Sequence, residues 1–413
     1  MEIPRSLLNE LTGAVNALST SAQALAATAL DEIFKEWDGA DVAGLRVECI
    51  EALEAIESAY CDTYAAGKAA EFYEGCRAAQ GVRGAYRAVA DSRRDPQALA
   101  GAVKAMIQYV VNGDTDKYRR ECLSRIDTDV RRSANNCVAY NTRRDPKKPR
   151  YARVPTGGET CGFCLMLASF GFHYTTEEAA SHAHADCDCR VVPSFGKATV
   201  KGYDADGMYS RYNDVLETLG GRDGIRAEWN ALPKEEREAY IASHGKKEGA
   251  AFQKYLNKRV SQEIETRDAT WFQTGSAPKV GFASEQVKNR ATEAEVRTAG
   301  RLSSHGIKSV FVQDYEVACG EDGRKFRIGL PDLDGGIELK TLGTSRNARG
   351  AMKNYLENST NKKGLKVVVV DNSESKHITD EELVTAAQEL IGEFADVPHL
   401  RLLMKDGSFI RIK

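Results

Sequence analysis

The ten residues Pro331-Asp332-Leu333-Asp334-Gly335-Gly336-Ile337-Glu338-Leu339-Lys340 leave the backbone little choice. Asp334-Gly335-Gly336 predicts a three-residue hairpin loop, a common length in which glycine is free to take positive φ. That loop pairs Leu333 with Ile337 and Asp332 with Glu338, and directly opposed residues have Cβ atoms roughly 4.5–5.5 Å apart. Two carboxylates that close repel unless a cation sits between them, and Mg²⁺ is held by one or two carboxylates with waters and substrate phosphate. Strand alternation brings Lys340 to the same face and sends Ile337 and Leu339 into a core. A lysine beside a metal-bound water can orient or deprotonate it, or stabilise charge developing on a phosphate. The same ten residues also read as a plain surface hairpin with scattered charges.

The flanking sequence frames this hairpin. Residues 293–305 predict a helix with Val296, Ala299 and Leu302 as its apolar stripe, Glu295 at the edge and Gly306 as its stop. Strands are expected at 309–313 and 325–332, then a helix at 346–358 with Arg346, Arg349 and Lys353 on one face. The apolar, β-branched run 365–371 predicts a buried strand, followed by a helix near 380–394 and a closing hairpin around Asp406-Gly407. The order α-β-β-β-α-β over roughly 285–413 resembles the PD-(D/E)xK nuclease superfamily. Within it, the segment is similar to the C-terminal nuclease domains of contact-dependent inhibition toxins and other polymorphic toxins, some of which cleave tRNA and others DNA. The resemblance implies that Asp332 and Glu338 bind Mg²⁺ or another divalent ion and that Lys340 activates or steers water. It also implies a glutamate from the first helix, Glu295 with Glu293 as second choice, and an immunity protein as partner. The Arg346/Arg349/Lys353 face would track substrate phosphates, which needs only positive charge, or be an ordinary solvated helix face. Related toxins often carry a glutamine late in the second helix. Here that region reads Glu357-Asn358-Ser359-Thr360.

A second constellation lies mid-chain: Cys161-Gly162-Phe163-Cys164, then His182, His184, Cys187 and Cys189. Tetrahedral Zn²⁺ takes four N/S ligands, and the best four are Cys161, Cys164, His184 and Cys187, with Cys189 as the substitute for Cys187 and His182 as a neighbour. The alternative is two disulfides, which would suit a secreted protein. The chain opens Met-Glu-Ile-Pro-Arg with no basic-then-apolar leader, so no secretory signal is expected and zinc in a reducing compartment is the preferred reading. Five isolated cysteines, Cys49, Cys61, Cys76, Cys122 and Cys137, sit in helical patterns as small buried hydrophobes. The text around the cluster, Ala152-Arg-Val-Pro-Thr-Gly-Gly before it, Leu165-Met-Leu-Ala-Ser-Phe-Gly-Phe within it and His184-Ala-Asp-Cys-Asp-Cys-Arg-Val-Val-Pro193 closing it, resembles phage head morphogenesis proteins of the Mu F type. That resemblance, specific over about 150–196, implies a prophage origin, a minor capsid role, portal and capsid proteins as partners, and a place in the virion head or the bacterial cytoplasm.

Composition bounds the rest. Lys plus Arg at 57 against Asp plus Glu at 60 leaves a net charge of -3, so any nucleic-acid contact must be a local patch. No apolar run approaches the ~18 residues of a membrane span. The alanine- and glutamate-rich front predicts helices near 4–37, 96–111 and 117–141. Leu45, Cys49, Leu53, Ile56, Tyr60 and Tyr64 form a further helical stripe that reads as core or as a docking face for capsid subunits. Arg143-Arg-Asp-Pro-Lys-Lys-Pro-Arg150 reads as a solvated linker or a DNA contact. The expected class is multidomain: a mainly α-helical N-terminal part (1–150), a Cys/His zinc-knuckle segment (151–196), a helical connector (197–280) hinged near Gly275-Ser-Ala-Pro278, and an α/β PD-(D/E)xK nuclease domain (281–413). The expected function is a phage minor capsid protein carrying a metal-dependent nuclease for tRNA or DNA. The alternative is a purely structural capsid protein with an inactive or DNA-binding end; a restriction or repair nuclease would explain the chemistry but not the text around Pro155 and Pro193.

Overall fold

A computed structural model describes residues 1–157, 160–176, 187–244, 247–320 and 323–413. The chain divides into two compact units, Met1–Tyr209 and Ser210–Lys413. The first unit is built on long helices: α1 (Arg5–Glu36), α2 (Val42–Glu57), α3 (Ala66–Ala79), α4 (Pro96–Val111) and α5 (Thr115–Arg144). A short strand β1 (Glu2–Ile3) precedes them. Asp41, Asp95 and Asp114 cap α2, α4 and α5 by accepting a backbone N–H, which explains why those helices start where they do.

The stripe from Leu45 onward departs from expectation. Leu45, Cys49 and Leu53 are buried, but Tyr64 is 51% exposed, and the buried set continues instead through Glu57, Cys61 and Ala65. These positions step by four throughout. On a helix of 3.6 residues per turn, each such step rotates the stripe by about 40°. Residues Ser58–Ala65 form a π-helix whose wider turn takes up that rotation and keeps the buried line facing α1 and α5. The widened segment admits a buried carboxyl, Glu57, beside Arg94, which also binds Glu54 and Asp62 at 2.8 and 2.9 Å. Burial and the neighbouring Asp129 push Glu57 up to about 8.

The expected boundary near residue 150 is not a division between cores. Asp145, in the basic run, is buried and binds Arg77 and the Tyr73 hydroxyl, so that run is partly anchored rather than a free linker. Strand β2 (Arg150–Val154) pairs antiparallel with β3 (Arg190–Ser194), and Tyr151, Ala152, Val154, Val191 and Val192 join the core of the helices. Helix α6 (Gly162–Ser169) and strand β4 (Thr199–Val200), parallel to β1, complete the unit.

Across the unit boundary runs α7 (Ala205–Thr218), followed by α8 (Gly221–Ala231), α9 (Lys234–His244), α10 (Glu248–Glu265) and α11 (Ala269–Thr274). Trp271 and Phe272 are buried in the second unit, and the expected hinge residues Gly275, Ser276 and Ala277 just after them are exposed. Next come β5 (Gly281–Phe282), α12 (Glu285–Lys288), α13 (Glu293–Ser304) and β6 (Val310–Phe311). Gly306 stops α13 at φ +78°, and a Cβ there would lie 2.3 Å from the Trp271 ring, so only glycine fits.

The main sheet has four strands in the order β12-β11-β10-β9: β9 (Ile337–Thr341), β10 (Val367–Asp371), β11 (His399–Leu403) and β12 (Phe409–Arg411). The first three are parallel and β12 turns back antiparallel on β11. Helices α14 (Ala348–Thr360) and α15 (Asp380–Leu390) pack Met352, Leu356, Leu383 and Leu390 on Val368 and Val370. On the opposite face α13 packs Ala299 and Leu302 with Val369, Leu339 and Leu403. The result is a three-layer α/β/α arrangement. The expected second strand pairs elsewhere: β8 (Lys325–Gly329) forms a separate hairpin with β7 (Tyr315–Cys319). No described helix is long and apolar enough to cross a membrane.

One buried ion pair ties α10 to the sheet. Arg401 of β11 meets Glu263 through two hydrogen bonds of 2.8 and 2.6 Å, and Arg267 adds a third at 3.2 Å. Removing one partner of such a pair strands a buried charge. Glu263→Ala is expected to lower unfolding free energy by about 3–5 kcal/mol, read as a fall in the urea midpoint.

Candidate functional site

The expected loop is present: Leu333 bridges Ile337 antiparallel across Asp334-Gly335-Gly336, with both glycines at φ above +80°. A Cβ on Gly336 would lie 2.4 Å from the Gly364 carbonyl, so β10 can approach β9 only past a glycine. Asp332 does not continue the ladder by backbone pairing with Glu338. Its carboxylate instead accepts the Leu339 N–H at 2.8 Å, which places it beside the buried Glu338.

Glu338 is fully buried on β9, opposite Val368 of β10. Lys340 donates to its Oε1 at 2.6 Å. Lys362, just beyond α14, lies 2.9 Å from its Oε2 and 3.8 Å from Asp332 Oδ1. Lys362 was not anticipated: it is 24 positions from Glu338, and only α14 returning across the sheet brings it there. A lysine one turn past the expected glutamine position was the available signal. Burial, with the Glu338 charge second, pushes Asp332 up to about 7, against the pull of the Leu339 N–H and Lys362.

Glu295 lines a pocket of about 110 Å³ together with Asp332, Asp314 and Arg290. It is also the third residue of α13 and accepts the Thr292 N–H and hydroxyl in a capping box. Glu293 points away, its side chain 97% exposed and 3.7 Å from Arg297. The expected basic face is only partly assembled. Arg346 precedes the α14 cap, Asn347, and so is not on the helix; Arg349 is paired with Glu389 and Lys353 lies 3.8 Å from Glu357.

The mid-chain cysteines gather more tightly. Cys164, Cys187 and Cys189 have mutual Sγ distances of 3.4, 3.1 and 3.3 Å, and among the described residues they are the one group of three or more ligands close enough to share an ion. Cys161 caps α6 and hydrogen-bonds to the Cys164 thiol. Cys189 is thus a partner of Cys187 rather than its substitute. His182 and His184 lie outside the described residues. All ten cysteines are free thiols, against the disulfide alternative. A tetrahedron with Zn–S of ~2.3 Å has edges of roughly 3.7 Å, so the three sulfurs need open by only a few tenths of an ångström.

Two buried guanidiniums beside this cluster favour negative charge on it. Arg153 and Arg190 are both fully buried beside it. Arg153 donates to Cys189 Sγ at 3.2 Å, and Arg190 to the Cys187 and Cys189 carbonyls at 3.2 Å each. A buried guanidinium favours opposite charge nearby, which a Cys187 thiolate would supply, while burial holds Cys189 toward its neutral form. The hydrogen bond from Cys164 leads the causes that lower Cys187 below an ordinary thiol. The three thiols can therefore hold a metal such as zinc, with Cys161 bonded to one of them at the start of α6.

The fold thus presents a thiol-rich metal cradle in a helical unit and a carboxylate–lysine site in an α/β/α unit. A family match covers residues 3–215, and the chain belongs to the VG15 protein family. No curated protein and no solved structure matches it. The matched stretch is nearly coextensive with the first unit and contains the whole cysteine cluster.

Two outcomes test these sites. The purified full chain is expected to carry about one zinc per molecule by elemental analysis, and Cys164→Ser to lose most of it. For Asp332, the folded-state value of about 7 stands above the ~3.9 of an exposed aspartate, so its contribution to stability is full below about pH 4 and is lost as pH rises through 7. In divalent-free buffer, thermal scans of the parent should show that decline between those limits, and Asp332→Asn should flatten it.

Proposed function

We propose that this chain is a phage head protein whose second unit is a metal-dependent nuclease acting on tRNA or DNA. Membership of the VG15 family supports the phage origin, and the Mu F-like text around the cysteines supports a minor capsid role for the first unit. The observation that carries the hydrolytic reading is the convergence of Asp332, Glu338, Lys340 and Lys362 on one end of the β9 hairpin. A PD-(D/E)xK arrangement would account for it, with the parallel β9–β10 pair as the platform.

The residues fit a hard divalent ion, since the donors are oxygens and two carboxylates lie close together, burial and then the Glu338 charge raising Asp332. Asp332, Glu338 and the Leu339 carbonyl would hold Mg²⁺ or a similar ion, which supplies charge stabilisation to the scissile phosphate when bound. Lys340, which lies beside Glu338 on β9, positions the attacking water. Lys362 offers an ammonium to the phosphate oxygens as negative charge builds, and Glu295 accepts hydrogen bonds from water in the Asp332 pocket. Water adds to phosphorus and gives its proton to solvent, the P–O bond to the leaving oxygen breaks, and that oxygen takes a proton from solvent. The cysteine cluster, with zinc, would be structural.

The alternative is a structural reading, in which the second unit is inactive or only binds DNA; the family match covers residues 3–215. The two separate cleanly. The folded full chain, given total tRNA and plasmid DNA with Mg²⁺ or Mn²⁺, is expected to cut one of them, and Glu338→Gln to lose at least about a hundredfold in rate. Cutting by the variant at the parental rate would remove Glu338 from the mechanism; no cutting by either protein would leave the capsid role alone.

A further inference from the structure

A cleft of about 560 Å³ opens on the α13 face of the sheet, where α10 and the starts of β10 and β11 meet. Its floor is apolar, formed by Ile307, Ile337, Val367, Val369 and Phe409. Its rim is cationic: Arg259, Arg267, Lys308, Lys366, Arg401 and Arg411 face three carboxylates, Glu263, Glu265 and Asp334.

Folding alone does not account for that excess. Arg401 and Arg411 are direct cross-strand partners, an arrangement of like charges that destabilises a sheet. Glu263 compensates Arg401, and Glu228 sits between Arg411 and Arg259, 2.9 Å from the latter. Yet the buried Nε atoms of Arg267 and Arg401 have no hydrogen-bond partner, and Lys308 and Lys366 stand exposed beside them. His399 feels the same field: burial first, then Arg411, Arg401 and Arg259, keep it below the usual histidine range.

We propose that this cleft binds a nucleoside polyphosphate, with the base on the apolar floor at Phe409 and the phosphates on Lys308, Lys366 and the arginine rim. The volume lies within the roughly 300–1,000 Å³ of small-molecule sites, and guanidinium forks with ammonium groups are the side chains that recognise phosphate. A bare polyanion needs only the rim; the apolar floor selects a ligand with a flat body. The site is distinct from the carboxylate site and does not depend on its being a nuclease, although Asp334 and Gly335, in the loop between Asp332 and Glu338, form part of its wall.

Calorimetric titration of the full chain with ATP, GTP and inorganic tripolyphosphate, in buffer free of divalent ions, tests this directly. Saturable binding of a nucleotide is expected, roughly tenfold tighter than tripolyphosphate and weakened roughly tenfold or more by Lys308→Glu with Lys366→Glu. Both lysines are exposed, so the double variant should fold normally, which its circular dichroism would check. Glu338→Gln should bind as the parent does. Absence of nucleotide binding, or binding indifferent to the double variant, overturns the proposal. Tripolyphosphate binding as tightly as ATP and GTP overturns the nucleotide assignment and leaves a plain polyanion patch.

Discussion

A charge withdrawn from water must find its opposite, and this chain withdraws charge at the places that organise both of its units. Arg153 and Arg190 lie fully buried against three thiols, Arg77 against Asp145, Arg401 and Arg267 against Glu263, and Glu338 between two lysines. Apolar residues of similar size would often be at least as stable at such positions, so stability alone is a weak reason for keeping them. What these pairs do is fix register. Arg401 can reach Glu263 only if α10 crosses the sheet at one height, and Arg153 can reach Cys189 only if β2 and β3 pair as they do.

How far the sequence could be read follows from the distance over which each interaction acts. The hairpin between Leu333 and Ile337, the glycine stop at Gly306 and the start of α4 at Pro96 are decided within a few residues, and all were legible. The π-helix at Ser58–Ala65 was not, because a four-residue spacing matches an α-helical stripe over two turns and departs from it only over five. Arg346 was placed on α14 by spacing, but Asn347 caps the helix one residue later and leaves Arg346 outside. Lys362 and the joint use of Cys187 and Cys189 depend on segments far apart in sequence. Local pattern carries no information about those meetings.

Glu295 shows how one residue can satisfy two readings. Its carboxylate closes the capping box at the start of α13, which is sufficient reason for a glutamate there. The same carboxylate borders the pocket that Asp332 enters and helps to raise that residue's affinity for a proton. Only one oxygen, Oε2, is engaged by Thr292. The cap therefore fixes the position of the group without consuming all its acceptor capacity, and a helix terminus becomes a rigid mount for a polar side chain.

The distribution of positive charge constrains how a nucleic acid could approach the carboxylate site. The chain as a whole is slightly acidic, so attraction must be local. On α14, Arg349 and Lys353 each lie by a glutamate, and exposed pairs of this kind retain little net field beyond a Debye length of about 10 Å. Lys340 and Lys362 differ, because their partner Glu338 is buried and fully enclosed. A divalent ion drawn to Glu338 and Asp332 would compete with both ammoniums for the same oxygens and free them to face solvent. Under the nuclease reading, the phosphate-binding charge at this site would then be created by the ion's arrival rather than held ready on a helix face.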